Sequence, residues 1–202
     1  MEQLKELLNS EDNRKNIAEL IYRRYYDRYL KIFFFQDSER KQYILKDKFG
    51  NSQNVTNSIF NMEYKNGFSI MANCCLLIET LSSFFDGINE TPNRKGKDSF
   101  KKFFAQSRKY NNELKVFESL TDFYYAIRCG LLHQGETKKS FKIKRNGELF
   151  EKATLTINAT KFCEYLNEFL LSYKEDLSKS EKWDGDIWDK CRLKLRYIIN
   201  NC

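Results

Sequence analysis

The chain has 202 residues, 41% of them hydrophobic and 15% aromatic, which is enough for one domain with a full core and excludes a disordered tail. Its 35 Lys and Arg against 28 Asp and Glu give a formal net charge of +7, a balance that permits a polyanionic partner without requiring one. Six cysteines with no C-x-x-C spacing, and a single histidine, exclude a disulfide scaffold and the usual zinc ligand sets, so neither metal nor cofactor is expected.

One proline and eight glycines suit long helices with few sharp stops, and a mainly α single domain over 1–202 is expected. The opening Met1-Glu2-Gln3-Leu4-Lys5 is charged and unlike a signal peptide. The longest apolar run, Phe68 to Leu81, is broken by Asn73 and Glu79, so no membrane span is expected. Cysteines placed inside apolar helical patterns read as core thiols, and the expected compartment is the cytoplasm.

Residues 2 to 8 suit a short helix. From Ser10 a long helical pattern runs to about Phe35. It interleaves Arg23, Arg24, Arg28 and Lys31 with Tyr25, Tyr26, Tyr29 and Phe33. Aromatics among basic residues can stack on bases, and they also occur as core residues beside a solvated face. Residues 37 to 58 are polar, with a loop expected at Gly50 to Asn54 and a short helix at Arg40 to Lys48. A second strong helix runs from Asn66 or Ser69 to Phe85 and is stopped by Gly87. Glu79 lies among its apolar residues and needs a partner, with Arg128 or another nearby cation the expected one. After a loop holding Pro92, Asp98 or Ser99 should cap a helix that turns Phe100, Phe103 and Phe104 inward. Its Lys and Arg run is a solvated face or a grip on phosphates.

The chain then reaches Ser119 to Glu136, read as one helix. Leu120, Phe123, Tyr124, Ile127 and Leu131 share a buried face. Gly135 sits where a left-handed cap belongs. Ala126, Cys129, Gly130 and Leu132 leave the middle with little solvated side, so a second cover is expected. Gly130 suggests close approach of another backbone or a ligand. On a regular helix Arg128 and His133 stand about 140° apart around the axis and about 7.5 Å apart along it. One isolated helix does not easily aim both at one atom, whereas two copies packed across a two-fold axis can line one groove with both pairs. His133 lies in the last turn, where the helix dipole favours imidazolium, and suits proton transfer near neutral pH. A fixed guanidinium suits a phosphate gaining charge.

The segment Arg128-Cys129-Gly130-Leu131-Leu132-His133 resembles the R-x4-6-H motif of the HEPN superfamily. These are helical-bundle endoribonucleases of toxin–antitoxin pairs, abortive infection systems and RNA-targeting CRISPR effectors. The resemblance implies a HEPN-like bundle that dimerises to build a composite, metal-independent RNA-cleaving site, with Arg128 and His133 as its catalytic pair. It implies a supporting role for Glu79, because such families often carry a polar or acidic residue on the helix packed against the motif. Cys129 and Gln134 flank the pair and complete the supporting set. Cys129 stands where the family often has a polar residue.

Beyond His133 the period changes to alternation around Asn146-Gly147, from Phe141 to Phe150, continued by Thr154 to Ile157. A β-hairpin inserted at about 140–158 is expected. Lys138, Lys139, Lys142, Lys144 and Arg145 would sit just outside the groove, as RNA-phosphate contacts or as charges guarding a sheet edge. Asn158 or Thr160 opens another helix with Phe162, Tyr165, Leu166, Phe169 and Leu170. Ile187 to Ile199 forms the last, with Trp188, Cys191, Leu195 and Ile198 inward and Lys190, Arg192, Lys194 and Arg196 outward. Three functions follow as expectations. One is an endoribonuclease with RNA, a second copy and an antitoxin or defence protein as partners. Another is a silent module of the same fold that dimerises, binds RNA or nucleotide, or tethers a partner. The third is a plain helical interaction protein.

Overall fold

The computed structural model describes residues 2–34, 44–46, 52–54 and 66–201. The described chain is mainly helical. Helix α1 spans Glu2–Leu7. Ser10 accepts from the Asp12 N–H and starts a 3-10 turn, Glu11–Asn13. It runs into α2, Arg14–Tyr25. The expected single helix to Phe35 changes winding after Tyr25, into a π-wound stretch, Tyr26–Leu30, and a 3-10 turn, Lys31–Phe33. Tyr25 and Leu30 are core residues here while Arg28 and Lys31 are exposed. Between them, Ile44–Lys46 (β1) and Ser52–Asn54 (β2) form an antiparallel pair. This corrects the expected helix at 40–48 and the expected loop at Ser52 to Asn54. A ladder satisfies the backbone of these two three-residue strands. The rest of both expectations lies outside the described residues.

Helix α3, Gly67–Asp86, is the centre of the fold. Ile70, Met71, Cys74, Cys75, Leu77, Ile78, Leu81 and Phe84 are fully buried. Its left-handed stop at Gly87 (φ 61°) is the one expected from sequence. Among the described residues it is the one helix long and apolar enough to cross a membrane. In this fold it is enclosed by α4 (Gly96–Tyr110), α6 (Ala159–Lys179), α7 (Asp186–Asn201) and the π-wound stretch after α2. A helix apolar nearly all round is what such a central position demands. The cysteines serve this core: burial pushes the Cys74 and Cys75 thiols up, and that of Cys191 to about 12.

Helix α4 starts at Gly96, earlier than Asp98 or Ser99, and Lys95 stands at its cap position without a side-chain bond. Phe100, Phe103 and Phe104 turn inward as expected. They join Phe117, Phe123, Phe162 and Phe169 in a ring cluster. Phe103 stacks on Phe169 at 4.6 Å, and Phe123 lies parallel to Phe162 at 5.8 Å. Such pairs add about 0.5–1.5 kcal/mol each beyond their burial. Phe123 opens the motif segment, so the cluster fixes where that segment enters the core.

The expected hairpin takes a different form. Strands β3 (Lys142–Lys144) and β4 (Phe150–Glu151) do not pair with each other. β5 (Thr156–Asn158) lies between them, parallel to β3 and antiparallel to β4. Ile157 is fully buried, while β3 and β4 are partly exposed. The uncharged and most deeply buried strand takes the centre and the charged ones take the edges. Asn146-Gly147 still turns the chain, with Gly147 at φ 90°. The turn is held by the side-chain amide of Asn158, which donates to the Gly147 carbonyl. Asn158 then caps α6, its side-chain oxygen accepting from the Thr160 and Lys161 N–H groups.

Candidate functional site

The motif segment is not one regular helix. A π-wound stretch, Tyr124–Cys129, passes into a short α-helical piece, α5, Gly130–Gln134. It closes with Gly135 in the left-handed region (φ 69°), whose N–H donates to Leu131 O while the Glu136 N–H donates to Gly130 O. The π stretch ends at Cys129, so the chain from Gly130 to His133 is α-wound, and the long forked Arg128 side chain spans the distance to the imidazole. Arg128 Nη1 lies 3.1 Å from His133 Nε2. The expectation that one copy of the segment would not bring the two together is therefore corrected. Arginine has no acceptor and stays protonated, so in this contact the His133 Nε2 lone pair accepts and the ring proton is on Nδ1.

Glu79 comes from α3, one helix away. Its Oε1 accepts from Arg128 Nε at 2.8 Å and its Oε2 from Nη2 at 3.2 Å. The two side chains are 21% and 19% exposed. The Glu79 carboxylate thus holds the guanidinium plane in a fork and leaves Nη1 for His133. The pairing of Glu79 with Arg128 expected from sequence is present. Burial works against the Arg128 charge, but hydrogen bonding and attraction from Glu79, aided by Tyr124 and Cys129, outweigh it and hold the guanidinium above its ordinary value.

Tyr124, read from sequence as a core residue, belongs to this site. Its ring lies 5.6 Å from the guanidinium carbon of Arg128, a cation–π contact. Its hydroxyl rests on Gly96 and meets the Cys129 thiol. Burial, with Cys129 next, raises the Tyr124 hydroxyl above the usual tyrosine value. A β-carbon at Gly96 would stand 2.3 Å from that hydroxyl, so the start of α4 is a glycine because Tyr124 occupies the space. No feature of the sequence links residues 96 and 124; only the fold does. Cys129 is half-buried, and His133 and Gln134 are exposed.

Two sequence arguments for a second copy fare differently. Gly130 is explained within the chain: a β-carbon there would meet the Glu136 carbonyl oxygen at 2.4 Å, and Ala126 is buried in the chain's own core. Tyr125, by contrast, is half-exposed and Leu132 partly so.

The basic residues do not gather at the Arg128–His133 contact. After Gly135 the chain doubles back along the motif segment. The Lys138 N–H donates to Ala126 O, and Lys139 Nζ pairs with Asp122 at 2.6 Å. Asp122 lies about 16 Å along the segment from His133 at helical rise. Ile143 and Arg145 then lie against Gly67, the first residue of α3 and twelve positions before Glu79. Arg145 Nε donates to Thr160, while Lys138, Lys142 and Lys144 are exposed. Lys139 and Arg145 are thus engaged at Asp122 and Thr160 rather than at the Arg128–His133 contact. A cation placed on the outer face by sequence is instead turned inward, toward the cleft that Arg128 lines: Lys194 is 8% exposed and donates to the Asn89 carbonyl.

Arg128, Glu79 and Tyr124 also line a cleft of about 460 Å³, together with Thr80, Ser83 and the loop from Asn89 to Arg94. Among the described residues no group of three His, Cys, Asp or Glu side chains is arranged to hold a metal. Comparison with family models, with curated proteins and with solved structures found no match to this chain.

Proposed function

We propose that the protein is a metal-independent endoribonuclease of HEPN type, acting as a homodimer in toxin–antitoxin or anti-phage defence. The observation that carries this is the fixed triad Glu79–Arg128–His133: a carboxylate clamping a guanidinium whose free edge meets the one imidazole in the chain. The scissile phosphate displaces the Arg128–His133 contact and takes its place between the two groups. The imidazole removes the 2′-OH proton, the 2′-oxygen bonds to phosphorus, and the bond to the 5′-oxygen breaks. A second imidazole, from the other copy, protonates the leaving 5′-oxygen, and Arg128 steadies the charge of the phosphorane. The products carry 2′,3′-cyclic phosphate and 5′-hydroxyl ends. Tyr125 and Leu132, both on the motif segment, supply the apolar contact between copies. The exposed Lys138, Lys142 and Lys144 hold strand phosphates farther from the cut.

The test is incubation of the purified protein with single-stranded RNA in EDTA, beside His133→Ala and Arg128→Ala. Cyclic-phosphate fragments from the wild type, absent from both variants, are expected. Cleavage that survives either substitution refutes the assignment. RNA binding without cleavage points instead to a silent module of the same fold.

A further inference from the structure

The cleft at Arg128 extends beyond the catalytic contact, and His133 is not among the residues that line it. At about 460 Å³ it falls within the ~300–1,000 Å³ of small-ligand sites. One part is formed by Arg128, Glu79 and Tyr124. Another is formed by Lys194 and Tyr197 from α7 and by the loop carrying Asn89 and Glu90. The two parts are tied into one wall. Lys194 donates to the Asn89 carbonyl, and the Tyr197 hydroxyl bonds the Glu90 carboxylate. The last helix therefore holds the loop in place, and the cleft is preformed.

Its lining has a definite chemistry. Tyr29, Tyr124 and Tyr197 offer aromatic surface. The Thr80 and Ser83 hydroxyls donate to the Leu76 and Glu79 carbonyls. Each hydroxyl oxygen keeps lone pairs for an incoming N–H. Arg94, Arg128 and Lys194 outnumber Glu79 and Glu90, and Glu79 is already matched by Arg128. A flat ring with a hydrogen-bonding edge and a phosphate attached satisfies all three features. A purely anionic ligand would leave the rings and hydroxyls unused, and a purely apolar one would leave the excess positive charge of the lining unused.

We infer that this cleft receives one unpaired nucleobase of the RNA strand, next to the phosphate held by Arg128 and His133, with Lys194, Tyr197 and the loop from Asn89 to Arg94 setting which base is accepted. A base enters such a pocket only when free of its complement, so the substrate is single-stranded at the cut. The position of the phosphate rests on the ribonuclease reading; the base pocket does not.

The experiment separates the two. Full-length His133→Ala protein is titrated calorimetrically with the four ribonucleoside 3′-monophosphates, and with ribose 5-phosphate as the baseless control. At least one nucleotide should bind tenfold or more tighter than the control. Tyr197→Leu and, on the exposed rim, Asn93→Ala should each weaken that binding or change the preferred base, with the circular dichroism spectrum unchanged. In parallel, wild-type cleavage sites on a random-sequence RNA should share one base beside the cut. Equal binding of ribose 5-phosphate and all four nucleotides overturns the pocket, as does cleavage without base preference. Base-selective binding with no cleavage by the wild type upholds the pocket and sinks the ribonuclease reading alone.

Discussion

Neutralising Glu79 should loosen the fold and the site together, and the size of the effect follows from the fork. Two charge-assisted hydrogen bonds, 2.8 and 3.2 Å long, join side chains about one-fifth exposed. Hydrogen bonds to charged groups contribute about 1.5–3 kcal/mol each, and breaking a fully buried pair by removing one partner costs about 3–5 kcal/mol. Partial exposure lets water soften the loss, so Glu79→Ala should cost about 2–4 kcal/mol. Glu79→Gln keeps one acceptor but turns an amide donor toward a guanidinium, and should cost about 1.5–3 kcal/mol. For a chain of this length the Glu79→Ala loss should lower the Tm by about 4–16 °C. The assay is urea unfolding followed by fluorescence of Trp183 and Trp188, run as a double-mutant cycle with Arg128→Met. The double variant should lose clearly less than the sum of the singles, with a coupling of about 1.5–3 kcal/mol. A coupling below about 0.5 kcal/mol, the value of an ordinary surface pair, would show that Glu79 does not organise Arg128. Glu79→Gln should also slow RNA cleavage in proportion to the misplaced guanidinium. Unchanged cleavage would remove its positioning role.

Gly130→Ala normally gains helix propensity, about 1 kcal/mol. Here the new methyl meets the Glu136 carbonyl at 2.4 Å, so a net loss of about 1–3 kcal/mol is expected in the same urea assay. Gly96→Ala drives the Tyr124 ring from beneath Arg128; it should lower the Tm, and cleavage should drop more than the loss of folded protein accounts for. Asn158→Ala removes the α6 cap and the bond to Gly147 together, and should cost about 1–2 kcal/mol or somewhat more; an unchanged urea midpoint would refute the cap. Sedimentation should show a dimer that Tyr125→Lys dissociates, and a strictly monomeric wild type would end the composite-site proposal.

Much of the helical order was legible because its signals are local. Apolar residues at i, i+3 and i+4 marked α3, α4, α6 and α7, and Gly87, Gly135 and Asn158 marked ends that the backbone uses as expected. Glu79 was legible as a carboxylate too apolar in its surroundings to stand alone. Other features were not legible, each for a reason. The pattern from Phe141 to Phe150 spells a hairpin, but pairing depends on which strand is most deeply covered, and Ile157 wins the centre. Lys194 reads as a surface residue because its partner, the Asn89 carbonyl, lies over a hundred positions away.

By itself the sequence determined the helical class, the central apolar helix, the helix ends at Gly87, Gly135 and Asn158, and the candidate pair Arg128 and His133, since each rests on neighbours within a turn or two of chain. Tertiary structure alone decided how the pair is held. The Glu79 fork reaching in from α3 and the Tyr124 hydroxyl seated on Gly96 depend on groups distant in sequence. Helical periodicity carries no record of such contacts, because it registers only neighbours within a turn or two.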